Sequence, residues 1–106
     1  NTPIKEKGTM EKDKKAIELS DRFRKVRRAY QLTPTEHSIY LELISIWKEE
    51  DCPEEFFCSN SELCSSVGIV EKTLINARKN LVKAKLIEYK QGIGPRKPNL
   101  YSFVKM

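Results

Sequence analysis

The sequence lacks any apolar run of the length that a membrane span requires. No signal-peptide pattern is visible, and no membrane role is expected. Histidine is almost absent: His37 is the only one. There are three cysteines, Cys52, Cys58 and Cys64, an odd count at wide spacing that excludes a disulfide framework. No Cys-x-x-Cys pair exists, and the three cysteines with His37 lack the short ligand spacings of a zinc site. No metal and no cofactor is therefore expected, and small thiols in a reducing cytoplasm fit better. The chain also offers no nucleophile with its base, no acid/base pair and no phosphate cradle. Gly92-x-Gly94 follows a strand pattern but opens no helix, so it is not a phosphate loop. These absences argue against an enzyme.

What is present is charge. The chain has 106 residues, enough for one domain with one core, and 33% of them are charged. The net charge of +5 is unevenly spread. Residues 1–31 hold ten Lys and Arg against five Asp and Glu. Residues 32–55 hold one against seven, and residues 56–106 hold nine against three. A basic, acidic, basic layout suggests two basic surfaces, the electrostatic footprint of nucleic acid or of an acidic protein partner. The first residue is Asn1 rather than Met, which leaves a longer parent protein open.

The most informative stretch is Ser59 to Tyr89. Ser59 and Glu62 have capping-box spacing, so a helix should start at Asn60. Leu63, Cys64 and Val67 share one face, and Gly68 can take the positive φ that ends the helix. A second helix is expected from near Val70 to about Lys85. Leu74, Ala77 and Leu81 form its apolar stripe. Lys72, Asn76, Lys79 and Lys83 fall opposite, with Ile75 and Asn80 flanking and Thr73 near the start. That face carries three ammoniums and an amide and no carboxylate. Asn can read an adenine edge, and Lys reaches guanine acceptors or phosphates. A solvated helix face would have the same composition.

On either side the chain punctuates itself clearly. Residues 1–10 show no periodicity and are expected to lack structure. Residues 11–31 read as a basic amphipathic helix ending near Tyr30, with Leu19, Phe23, Val26 and Tyr30 in a stripe. It suits docking on its own domain, a homodimer arm, or extra phosphate contacts through Arg24, Arg27 and Arg28. Residues 32–106 then form the main domain. Thr33-Pro34-Thr35-Glu36 is a helix start, with Thr33 as cap, Pro34 at the first position and Glu36 closing the box. That helix runs to about Glu50, with Ile39, Leu43 and Ile46 as its apolar line, widened by Tyr40, Ile44 and Trp47. Phe56-Phe57-Cys58 reads as a short strand. Two further strands, Leu86–Lys90 and Asn99–Val104, flank a Gly/Pro-rich loop carrying Arg96 and Lys97, which makes a hairpin.

The order of elements is that of a winged helix-turn-helix domain: mainly α with a small antiparallel β-wing, a three-helix core and an added N-terminal helix. Leu32-Thr33-Pro34-Thr35-Glu36, Phe57-Cys58-Ser59-Asn60-Ser61-Glu62-Leu63, Lys72-Thr73-Leu74-Ile75-Asn76-Ala77-Arg78 and Leu86-Ile87-Glu88-Tyr89 also carry a resemblance. They are similar to phage and mobile-element replication proteins of the DnaD-like, replisome-organiser kind. The resemblance covers about residues 22–104. One departure is Val70, where the family usually has Ser or a similar cap, so the first turn has no side-chain acceptor. The resemblance implies a bacterial, cytoplasmic double-stranded DNA-binding protein of replication initiation. Lys72, Thr73, Ile75, Asn76, Lys79 and Lys83 would then enter a major groove, and Lys90, Arg96 and Lys97 would act as the wing. Some relatives of this type self-associate through the domain or join a replication-protein partner. A transcriptional regulator and an oligomerisation module remain alternatives.

Overall fold

The computed structural model describes residues 2–92 and 98–104, with side chains from Asp13 onward. Four helices and three strands follow one another as α1 (Thr2–Val26), α2 (Pro34–Glu49), β1 (Phe56–Cys58), α3 (Asn60–Val67), α4 (Glu71–Lys83), β2 (Ile87–Lys90) and β3 (Asn99–Phe103). The molecule is thus mainly helical with a small antiparallel sheet.

Local chemistry sets most of the helix boundaries. At the start of α2, a Glu36 carboxylate oxygen accepts the Thr33 N–H at 2.6 Å and the Thr33 hydroxyl at 2.8 Å. Glu36 is buried in doing so, and Pro34 takes the first turn, where no N–H is needed. At the start of α3, the Ser59 Oγ accepts the Glu62 N–H at 3.0 Å. Gly68 closes α3 in the left-handed region at φ 82°. α1 departs from expectation at its start: its backbone is helical from Thr2, well before Glu11. The regular helix runs to Val26, and helical bonds continue from the Arg27 N–H to the Phe23 carbonyl and from the Tyr30 N–H to the Val26 carbonyl. The end near Tyr30 is set by Gln31 at φ 52° and by the Leu32 N–H, which reaches back to the Arg27 carbonyl at 2.9 Å as in a Schellman turn.

The three strands form one sheet in the order β1-β3-β2, antiparallel throughout. β3 is therefore the middle strand. Tyr101 sits at its centre, opposite Phe56 on one side and Tyr89 on the other. Phe56 and Tyr101 stack with ring centres 6.0 Å apart, and so do Tyr89 and Tyr101.

One core joins all elements. Phe23 of α1, Ile39, Tyr40 and Leu43 of α2, Leu63 of α3, Leu74 and Leu81 of α4, and Leu86, Ile87 and Tyr101 of the sheet region are essentially inaccessible. Ile46 is only half-buried against this core. α2 packs on both α4 and α1, as its wide apolar arc suggested. α1 is fastened by specific contacts. The Tyr40 hydroxyl donates to the Leu19 carbonyl at 3.0 Å, and Phe23 stacks on His37 with ring centres 4.8 Å apart. Arg22 donates to the Val104 carbonyl, and Lys48 pairs with Asp13 at 2.8 Å. Among the described residues no helix is long and apolar enough to cross a membrane.

Candidate nucleic-acid interface

The packing of α2, α3 and the sheet decides which side of α4 faces out. Leu74, Ala77 and Leu81 are buried, as their spacing required. Lys72, Asn76, Lys79 and Lys83 are exposed on the opposite side, together with Asn80. Thr73 and Ile75 are half-buried at the margins of that face. α4 begins after Val70, whose backbone is extended and which supplies no side-chain acceptor to the first turn. A helix N-terminus with free N–H groups has partial positive character. Glu71 stands there, and its carboxylate accepts the Asn60 side-chain N–H at 3.2 Å.

The remaining expected site residues are distributed more widely. Lys90 is exposed at the end of β2. Arg96 and Lys97 lie outside the described residues. Arg24, Arg27 and Arg28 are exposed at the C-terminal end of α1 and just past it. α1 packs chiefly on α2.

Sequence reasoning missed the group that joins α4 to the sheet. Arg78 is buried, with only 5% of its surface exposed. One guanidinium nitrogen, Nη1, donates to the Asn60 Oδ1 at 2.8 Å and to the Tyr101 hydroxyl at 2.9 Å. The guanidinium carbon lies 4.2 Å from the centre of the Tyr89 ring, a cation–π contact. The Asn99 Nδ2 donates to the same Asn60 oxygen at 2.8 Å, and the Asn99 Oδ1 accepts the Gly92 N–H at 3.0 Å. Among the described residues no buried side-chain polar atom lacks a partner. A signal for Arg78 was present. Leu74, Ala77, Arg78 and Leu81 complete an i, i+3, i+4, i+7 set, so a cation there must enter the interior.

Burial dominates the titration of the neighbouring groups. It pushes the Cys58 thiol up to about 12, with the Glu62 and Glu42 carboxylates adding to the rise. It raises the Tyr101 phenol too, against the opposing pull of Arg78. These are inert, protonated groups at neutral pH. Among the described residues no cluster of three or more His, Cys, Asp and Glu side chains is disposed to hold a metal ion. A cavity of about 370 Å³ lies between α1 and the end of β3, lined by Leu19, Arg22, Trp47 and Phe103 among others and by no residue of α4. Comparison with protein-family models, with curated proteins and with solved structures gave no match to this chain.

Proposed function

We propose that this chain is a winged helix-turn-helix module that binds double-stranded DNA through α4. The observation that carries the reading is the sorting of α4: Leu74, Ala77 and Leu81 go into the core, while Lys72, Asn76, Lys79 and Lys83 stay in solvent with no carboxylate among them. In this reading α4 enters a major groove. Asn76 reads a base edge, and the lysines meet phosphates or guanine acceptors. The connection between β2 and β3 is the wing, and Lys90, Arg96 and Lys97 contact the backbone. Arg24, Arg27 and Arg28 are candidates for further phosphate contacts. A cytoplasmic role in replication initiation of a phage or mobile element rests on the resemblance of residues 22–104. A transcriptional regulator would use the same surfaces.

A protein-interaction role has its own support in Ile17, 61% exposed on α1, and Leu41, 42% exposed on α2. Both are large apolar side chains left uncovered on the two helices that pack together. Binding to a homodimer partner or to a replication protein would use exposed apolar side chains of α1 and α2 rather than α4.

Anisotropy titrations of labelled duplex and single-stranded DNA at several salt concentrations test the proposal. Duplex affinity that falls steeply with salt, and exceeds affinity for the single strand, is the expected result. Equal, weak binding to both would remove the major-groove reading and bring the interaction module forward.

A further inference from the structure

We infer that the cavity between α1 and the end of β3 is a binding site for a small apolar α-amino acid, its side chain seated on Trp47 and Phe103 and its charged head on Glu18 and Arg22. No residue of α4 lines this cavity, so it stands apart from the duplex-binding reading above.

At about 370 Å³ the cavity is within the size range of small-ligand sites. Its wall is apolar where it meets the core. Leu19 comes from α1, Trp47 from α2, Phe103 from β3, and Val104 directly follows that strand. The Trp47 ring directs its one N–H to the Pro53 carbonyl at 3.0 Å, so it offers a ligand only carbon surface. Phe103 is held by edge contacts with Trp47 and Tyr40, at ring-centre distances of 5.6 and 5.5 Å. This part of the site is therefore preformed, with aromatic rings fixed against the core and space in front of them.

The α1 side supplies charge. Lys15, Glu18, Leu19 and Arg22 follow i, i+3, i+4, i+7 spacing and line the cavity together. Glu18 and Arg22 are one turn apart, which puts their Cβ atoms roughly 5–6 Å from each other. An α-amino acid likewise carries its ammonium and its carboxylate side by side, on one carbon. Arg22 is half-buried, and among the described residues its hydrogen bond runs from Nη1 to the Val104 carbonyl. The guanidinium has further N–H groups, which suit a planar carboxylate. Glu18 is exposed and, among the described residues, is in no ion pair. It is the acceptor for the ammonium. Lys15, one turn earlier on the same wall, adds to the pull on the carboxylate. Glu54 also lines the cavity, is already engaged, and is assigned no contact here.

The mixture of signs selects the ligand class. An apolar acid would bring its carboxylate toward Glu18, and an apolar amine would bring its ammonium toward Arg22 and Lys15. A zwitterion meets both signs, and its side chain covers ring carbon that otherwise faces water.

Trp47 is the only tryptophan, so its fluorescence reports on the site directly. L-Phenylalanine is the probe, titrated into the full chain by fluorescence and by calorimetry. Saturable binding with a change in Trp47 emission is expected. Phenylacetate lacks the ammonium and phenethylamine lacks the carboxylate, and each should bind at least about tenfold more weakly. Glu18→Gln should weaken phenylalanine about tenfold and leave phenylacetate no weaker than before. Arg22→Gln should weaken phenylalanine to a similar extent and leave phenethylamine no weaker. If Arg22→Gln fails to fold because α1 loses its bond to Val104, Glu18→Gln decides the matter, since Glu18 is exposed. No heat and no emission change up to the solubility limit of phenylalanine would overturn the inference. Equal affinity for all the compounds, or an unaltered phenylalanine affinity in Glu18→Gln, would overturn it as well, by showing an apolar cleft that does not read the charged head.

Discussion

Gly68 makes the turn between α3 and α4 at φ 82°, a conformation that side chains with a Cβ resist. An added Cβ at this position would meet nothing within 4 Å, so the cost of Gly68→Ala is backbone strain alone. A loss of about 1–2 kcal/mol in urea unfolding is expected. An unchanged midpoint would mean that the turn relaxes out of the left-handed region. The chain already tolerates this conformation at Gln31, Asp51, Cys52 and Lys85, three of which follow helix ends closely. Cys58 carries a second residue-scale consequence. Its thiol stands at about 12 in the folded chain against an ordinary 9.0. An unfolded chain ionises first, so stability is whole below pH 9 and lost as pH rises toward the folded value. The buried Tyr40 phenol, raised above its ordinary 10.0 mainly by desolvation, adds to the loss from pH 10 upward. Each such proton weighs up to about 1.4 kcal/mol per pH unit. Urea midpoints should be level from neutral pH to the onset of thiol ionisation and then fall. A midpoint that holds through strongly alkaline pH would contradict the burial of both groups.

At the scale of elements, α4 separates a buried apolar side from an exposed basic one. Leu81 is fully buried, and Leu81→Ala should cost about 2–5 kcal/mol. Asn76 is exposed, and Asn76→Ala should leave stability within about 0.5 kcal/mol. On a preferred duplex the same change should cost about 1–3 kcal/mol of affinity, and much less on mixed-sequence DNA. Parallel losses on both, in competition assays, would mean that α4 contacts phosphates without reading bases. Much of this helix was legible in the sequence because its determinants are local. The Ser59 and Thr33 starts, the Gly68 turn and the buried stripe all depend on residues within a few positions of one another. The Arg78 tie depends on partners 18 and 23 residues away, and Asn60 and Asn99 are 39 residues apart. Periodicity placed a cation on the buried face but carried no information about what would satisfy it. The sheet order was hidden for the same reason. A hairpin follows from local turn chemistry, but the addition of β1 to the far side of β3 follows only from how α3 and α4 fold back.

At the scale of the whole molecule, the question is what α1 supports. Its stripe divides in the fold: Phe23 is fully buried, Leu19 and Val26 pack partly against the core, and Tyr30 is largely exposed. Removing residues 1–31 would therefore strip a piece of the core and the Tyr40–Leu19 hydrogen bond along with any pairing surface. Point substitutions separate the two roles. Phe23→Ala should cost about 3–5 kcal/mol without changing mass in solution, because the ring fills an intramolecular site. Ile17 is the informative position for pairing, being 61% exposed on the same helix. Two copies meeting through α1 would also have to bring the exposed Arg24, Lys25, Arg27 and Arg28 of each chain onto one assembly. Like charges at an interface oppose association unless acidic groups face them. Local support is therefore the expected role, and Ile17→Glu should leave both the sedimentation mass and the unfolding midpoint unchanged. A wild-type dimer that dissociates on Ile17→Glu, with stability of the monomer intact, would make α1 a pairing element. DNA binding would then be a property of two joined modules, with half-sites spaced by that interface.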